Sequence, residues 1–371
     1  MKILYVTDQV YLHGGAEKIL IQKLNYWADV LGHQTMLVTT NQEGLKPFTP
    51  VSGKVVLHDL AIPYREGTFY SKDNLKLLSR HFKALKQAIA NFAPDAVFVL
   101  SQTLPRFITP VAAGGVPTFY ELHTSYYGFE MGRRNLSGLK KIKSQIISRL
   151  GEWAESRYTK VVYLNQWEFD HYKRPNSVII PNFFDPVPQM DLPRRNRVIS
   201  LGRLSFQKGY DLLIEAWKRA DKKLEGWSCD IFGNGDDAAK LREQIAAHDF
   251  RNPIAVHDAI DDINTALATS SVYAMSSRFE TFPMVLLEAM SHKLPIVAFD
   301  CPTGPRSIMS KPDGIIVPPG DIDAFAEALV TLCRDARLRV DMGRRGYENV
   351  KRFSPASVMA MWEKLVIDNK K

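Results

Sequence analysis

Ser277-Arg278-Phe279-Glu280-Thr281-Phe282-Pro283-Met284-Val285-Leu286-Leu287-Glu288-Ala289-Met290 crosses from a loop into a helix. Pro283 suits the first helical position, where a missing N–H costs nothing. Val285, Leu286, Leu287, Ala289 and Met290 supply a packed apolar face behind it. The run just upstream, 272–275, is short and apolar, as a buried strand is. Glu280 therefore points forward from a strand-to-helix loop. Glu288 lies just over a turn into a helix whose free N–H groups favour an anion. Strand, loop and helix in this order are the unit of a doubly wound sheet, whose ligands sit at the carboxyl ends of the strands.

The same alternation extends outward in both directions. Apolar runs at 2–7, 35–39, 96–100, 118–122 and 161–164 read as strands, with an amphipathic helix at 16–31 carrying Ile19, Leu20, Leu24, Trp27 and Leu31. After Pro181 the series restarts with strands at 197–201, 227–232, 272–275, 296–299 and 314–317 and a helix at 209–220. Buried strands alternating with helices imply an α/β fold with a parallel sheet covered on both faces. The series occurs twice, and 371 residues suit two domains of about 180. The spacing predicts domains over 1–185 and 186–354, joined at the proline-rich break Pro181-Asn182-Phe183-Phe184-Asp185-Pro186-Val187-Pro188. Two such sheets facing each other would form one cleft at the domain interface.

Composition removes several function classes. Cys229, Cys301 and Cys333 lack metal or redox spacing and read as reduced thiols of a cytosolic protein. The opening Met-Lys-Ile-Leu-Tyr-Val-Thr-Asp reads as a buried strand rather than a signal peptide, and no apolar run reaches membrane-span length. Residues 1–185 hold 22 Lys+Arg against 15 Asp+Glu, and the remainder 26 against 25. The basic excess therefore lies in the first half, which points to an anionic membrane surface or a phosphorylated partner. Nucleic acid is not expected, since no zinc-ligand spacing or RNA-binding aromatic signature accompanies the charge.

Further segments fall after strands. Gly202-Arg203-Leu204-Ser205-Phe206-Gln207-Lys208-Gly209 sets a guanidinium and an ammonium five residues apart at a strand-to-helix turn. Such a pair can clamp a diphosphate, and the missing Gly-Lys-Ser/Thr ending rules out a P-loop. With the two glutamates it outlines a nucleotide-sugar site. His13-Gly14-Gly15-Ala16-Glu17 opens the first helix, where bare backbone could approach a phosphate or could simply make a tight turn. His123, in Glu121-Leu122-His123-Thr124-Ser125, could meet a phosphate or sugar hydroxyl or be a structural histidine. Phe232-Gly233-Asn234-Gly235-Asp236 and Pro302-Thr303-Gly304-Pro305-Arg306 read first as a turn and a rigid connector. Leu136, Leu139, Ile142, Ile146 and Leu150, interleaved with Lys140, Lys141, Lys143 and Arg149, form a basic amphipathic helix that either packs on its own domain or lies on an anionic membrane.

Taken together, the Gly14-Gly15 loop, His123, Gly202-Arg203…Lys208-Gly209, Gly233-x-Gly235 and Glu280-x7-Glu288 resemble the retaining GT-B glycosyltransferases, specifically glycosyltransferase family 4. The resemblance spans almost the whole chain, and Asp300-Cys301-Pro302-Thr303-Gly304-Pro305 looks like the subgroup that builds bacterial capsule, exopolysaccharide or O-antigen units. It implies two facing Rossmann-like domains with an interdomain cleft: an acceptor-binding domain over 1–185 and a nucleotide-sugar donor-binding domain over 186–354. The last helix, about 355–371, would cross back onto the first domain. It further implies that Arg203 and Lys208 hold the diphosphate, that Glu288 takes the ribose hydroxyls, and that Glu280 contacts the transferred sugar. His123 would lie beside the anomeric centre, Gly14 and Gly15 would let backbone approach the phosphate, and Met284 and Val285 would offer amides to it.

The activity so implied is retaining, metal-independent transfer from a nucleotide-sugar, with UDP preferred over GDP, to a lipid-linked or oligosaccharide acceptor. It would take place in the cytoplasm or peripherally on the inner face of the cell membrane. No cofactor or metal is expected, and the absence of an Asp-x-Asp motif fits that. The family pattern is broken where Thr281 and Pro283 replace two glycines, and where Ile180-Pro181-Asn182-Phe183 replaces an Ile-Pro-Asn-Pro segment. A nucleotide-sugar epimerase of the same fold and a non-catalytic partner subunit are the alternative readings.

Overall fold

The computed structural model describes residues 1–12, 14–65, 71–134, 136–185, 187 and 190–370. His13 of the first glycine loop, and Pro186 and Pro188 of the proline-rich break, lie outside the described residues. The chain divides into two compact units. The first comprises Met1–Thr124, Phe129–Phe183 and Pro355–Lys371, and the second Ser125–Gly128 and Phe184–Ser354.

The first unit holds a seven-stranded sheet of β1 (Lys2–Thr7), β2 (Gln34–Thr39), β3 (Val55–Asp59), β4 (Ala96–Leu100), β5 (Thr118–Leu122), β6 (Lys160–Tyr163) and β7 (Ser177–Ile179). Their order across the sheet is β3-β2-β1-β4-β5-β6-β7, and every pairing is parallel. Successive side chains of a strand face opposite ways. Ile3 and Tyr5 accordingly pack against Leu20, Leu24 and Trp27 of the helix Gly15–Asp29, while Leu4 and Val6 pack with Leu85 and Ile89 of the helix Lys72–Phe92. The helix Pro355–Asn369 belongs to this unit and adds Val358, Met359 and Trp362 to the Ile3–Tyr5 face. Trp362 is fully buried with its ring edge-on to Phe98 at 5.6 Å, and truncating such a side chain costs about 3–5 kcal/mol.

The second unit holds a six-stranded sheet of β8 (Arg197–Leu201), β9 (Ser228–Phe232), β10 (Ile254–His257), β11 (Val272–Met275), β12 (Ile296–Phe299) and β13 (Gly314–Val317). The order β10-β9-β8-β11-β12-β13 is again parallel throughout. Val198, Trp217, Phe299, Phe325 and Leu329 anchor one face of its core. In both sheets the winding direction reverses beside the first strand, between β1 and β4 and between β8 and β11. Loops diverge at such a switch point and leave a crevice over the carboxyl ends of the strands.

The apolar runs read from sequence match strands at Lys2–Thr7, Ala96–Leu100, Thr118–Leu122, Arg197–Leu201, Val272–Met275, Ile296–Phe299 and Gly314–Val317. β6 starts and ends one residue earlier than expected, and β3, β7 and β10 are additional. Pro283 is a correction: it caps the helix Met284–Ser291 with ψ of 88° instead of forming its first turn. The three cysteines are free and buried.

Candidate functional site

In the second unit the two loops at the switch point are knitted together. Gly209 has φ of +62°, a left-handed conformation suited to glycine, and a Cβ there would overlap the Ser276 carbonyl oxygen. The Arg278 amide donates to the Gln207 carbonyl at 2.7 Å, Gln207 Nε2 donates to the Phe279 carbonyl at 3.1 Å, and Ser276 Oγ donates to the Lys208 carbonyl at 3.0 Å. Arg278 forks onto both oxygens of Asp211 at 2.8 and 2.6 Å and lies over Phe206. Burial raises the Asp211 carboxyl, but Arg278 outweighs it and leaves the group below its ordinary range.

On this frame Lys208 Nζ donates to Glu280 Oε1 at 2.7 Å, and Ser277 Oγ donates to the same oxygen at 2.7 Å. Glu280 is buried, and its amide donates to the Pro302 carbonyl at 3.4 Å, which seats it against the loop after β12. Arg203 is exposed, and among the described residues its guanidinium has no partner. Met284 and Val285 form the first turn of the helix Met284–Ser291, where amide donors lack intrahelical partners, and Glu288 lies half-buried one turn on. The structure thus brings Lys208 together with Glu280 and leaves Arg203 open to solvent on the same loop.

The other second-unit motifs take their structural readings. The Gly233–Gly235 turn braces the Arg203 loop: the Leu204 amide donates to the Asn234 carbonyl at 2.9 Å, and a Cβ on Gly233 would overlap the Gly202 carbonyl. Arg306 pairs with Asp300 at 2.7 Å.

In the first unit the switch point opens as a cavity of about 300 Å³. Asp8, Glu17, Ser101, Thr103, Glu121 and His123 contribute to its wall. His123 Nε2 bonds Glu121 Oε2 at 3.0 Å, Tyr5 donates to Glu121 Oε1 at 2.6 Å, and Lys23 pairs with Glu121 in the fully buried interior. Lys23 also lies 4.1 Å from the centroid of the Trp362 ring. Burial opposes charge on Glu121, yet Lys23 and then His123 outweigh it and hold the carboxyl at about 2. Burial lowers His123 more than Glu121 raises it, so the imidazole is neutral near pH 7.

Asp8 accepts from Ser101 Oγ at 2.8 Å and from Thr103 Oγ1, and burial raises its carboxyl above the usual range. Gly14 caps the helix Gly15–Asp29 in an extended conformation, and space over Gly15 is open.

Lys23, Glu121 and Asp8 are the residues that sequence reasoning passed over. A signal existed for two of them. Lys23 sits four residues from both Ile19 and Trp27 on the buried helix face, and Asp8 directly follows the first strand. Among the described residues, no group of three or more His, Cys, Asp or Glu could hold a metal ion.

The helix Gly138–Glu155 turns its apolar stripe outward: Leu139 is 85% exposed, and Ile142, Ile146, Leu150 and Trp153 are also exposed. Lys140, Lys141, Lys143 and Arg149 are exposed on the same helix. Among the described residues, no helix is long and apolar enough to cross a membrane.

Residues 189–349 match the family model described as glycosyl transferases group 1. The match covers less than half of the chain, and the chain has the GT-B fold. A similar protein is the amylovoran biosynthesis glycosyltransferase AmsD of Erwinia amylovora, 33% identical over 47% of this chain and 48% of that one. The chain thus spans about half the length of that curated relative. An uncharacterized glycosyltransferase of Haemophilus influenzae is 23% identical over 94% of this chain and 95% of its own. Among solved structures, Anabaena HepE in complex with UDP superposes with a TM-score of 0.76 at 17% identity, covering 98% of this chain and 99% of that one. The lipopolysaccharide outer core galactosyltransferase WaaB gives 0.72 at 18% identity, with both chains fully covered. At these identities the likeness is one of fold. Each switch-point loop set belongs to one of the two parallel-sheet units of that GT-B fold.

Proposed function

We propose that the chain moves a sugar from a nucleotide-sugar, preferentially a UDP-sugar, to a lipid-linked or glycan acceptor in bacterial cell-surface polysaccharide synthesis. The observation that carries this reading is the braced loop pair of the second unit, with Arg203 unpartnered among the described residues and Lys208 held on Glu280. Arg203, Lys208 and the amides of Met284 and Val285 meet the charge that grows on the departing diphosphate, a task that charged donors fixed in place perform without a metal. Glu288 takes the ribose hydroxyls, Glu280 holds the transferred sugar, and neutral His123 contacts the anomeric region. Gly15, with open space over its Cα, lets backbone approach a phosphate.

The bond from the anomeric carbon to the diphosphate oxygen breaks through an oxocarbenium-like state. The acceptor oxygen bonds the same face, and its proton passes to the leaving diphosphate, so configuration is retained. UDP and UDP-glucose complexes of HepE, and the amylovoran biosynthesis role in the name of AmsD, support the donor class and the pathway type.

The outward apolar stripe of the helix Gly138–Glu155 and its lysines suit docking on an anionic membrane at the cytoplasmic face, where a lipid-linked acceptor resides. The donor assignment is tested by a metal-free thermal-shift panel of UDP, GDP, ADP and their sugar conjugates. Selective stabilisation by UDP compounds is expected, and no response to any nucleotide sinks the assignment. Sedimentation with vesicles tests the docking: binding that ignores anionic lipid content contradicts it.

A further inference from the structure

The amino ends of the second sheet carry a cavity that none of these roles uses. Asn196 and Ser271, immediately before β8 and β11, lie on its wall, and its volume is about 480 Å³. Arg194, Lys293, Arg339 and Arg344 bring four cations to it from three segments, and no carboxylate is among the lining residues. Arg194 is held by the Ser270 carbonyl at 2.9 Å and the His292 carbonyl at 2.5 Å, and Arg339 by the Leu332 and Cys333 carbonyls at 2.7 and 2.8 Å. Carbonyl dipoles fix these guanidiniums in place without neutralising them. Asp341 is shared between Arg344 at 3.0 Å and Arg345 at 2.9 Å, one carboxylate against two cations. Burial lowers the Arg194 guanidinium, and the charge of Arg339 lowers it further. Like charges held together in a concavity focus a positive field and favour an anion that bridges them.

We propose that this cavity binds a phosphate-bearing small molecule with at least two negative charges. Guanidiniums offer paired donors to phosphate oxygens, and the exposed Lys293, whose Nζ lies 5.1 Å from the centroid of the Tyr347 ring, adds a point charge. The strands of this sheet run four or five residues, which separates the cavity from the Arg203–Glu280 loops at the carboxyl ends by on the order of 15 Å. One diphosphate does not span both, so the cavity is a site of its own and does not depend on the donor reading.

The test uses pyrophosphate, titrated calorimetrically into the chain carrying Arg203→Gln, which weakens phosphate binding at the carboxyl end through an exposed residue. The same titration follows with Lys293→Asn and Arg344→Gln added. Both residues are exposed, and Asn suits the left-handed φ of 55° at Lys293, so the fold is kept. Affinity falls at least tenfold in the triple variant. Equal affinity in the two chains, or no binding heat from either, overturns the proposal. An equal loss when Lys140→Gln and Lys141→Gln are added instead also overturns it, because net charge alone would then explain the effect.

Discussion

In the first unit, Lys23, Glu121, Tyr5 and His123 hold one another inside the protein, whereas in the second Arg203 stands in solvent on the loop that carries Lys208. The buried set spends its charge on itself. An ion pair withdrawn from water recovers little net stability, because the desolvation of both groups offsets their attraction. What the pair secures is geometry: Glu121 occupies Nε2 of His123, so the ring's orientation is set before any ligand arrives. In the second unit Lys208 shares Glu280 with Ser277, and Arg203 keeps all its donors free of described partners. One region uses charge to position a side chain, and the other keeps charge available for a ligand.

The largest expected break in this contrast is Lys23→Met. It leaves the buried Glu121 carboxylate without its cation and costs about 3–5 kcal/mol in urea unfolding, and adding Glu121→Gln recovers most of that loss. A cost below about 1 kcal/mol would mean that water reaches the pair. Arg203→Ala is the converse case: turnover falls about 10²–10³-fold while stability changes by no more than about 0.5 kcal/mol. If stability fell and turnover held, the two regions would have exchanged roles.

His81 sharpens the first unit's intolerance of a buried charge that has no counter-ion. It is fully buried, its Nδ1 meets Tyr64 Oη at 3.0 Å, and burial lowers it to about 4. The unfolded chain therefore binds more protons than the folded one below about pH 6.5, so stability is present above that pH and is lost as pH falls towards 4. The loss reaches about 3 kcal/mol and is absent from His81→Gln, as paired denaturation curves across that window would register. The smallest effect concerns the outward helix: each of Lys140→Gln and Lys141→Gln weakens binding to anionic vesicles by about 1 kcal/mol. Vesicle binding that is indifferent to both would separate the stripe from any membrane role.

The strands at the centre of each sheet were legible because they are buried on both faces and read as unbroken apolar runs, as in β1 and β12. β3, β7 and β10 were not. They are the outermost strands, and β3 exposes four of its five residues, so its short Val55-Val56-Leu57 run gives way at once to polar His58 and Asp59. The placing of Arg203 and Lys208 after one strand, and of Glu280 and Glu288 after another, was legible from local spacing. The bond between Lys208 and Glu280 was not, since 72 residues separate them and only the parallel β8–β11 pairing brings their loops together. Lys23 and Glu121 escaped for a related reason. Each reads locally as a polar interruption of an apolar pattern, and only the packing of the first helix on β5 makes them a pair.

The most direct test of the donor-site assignment is calorimetric titration of UDP, GDP and ADP, without metal, into the native chain and into Arg203→Ala. The account predicts that UDP binds the native chain selectively and at least tenfold more weakly after the substitution. Failure of every nucleotide to bind, or equal UDP affinity in both chains, would contradict it.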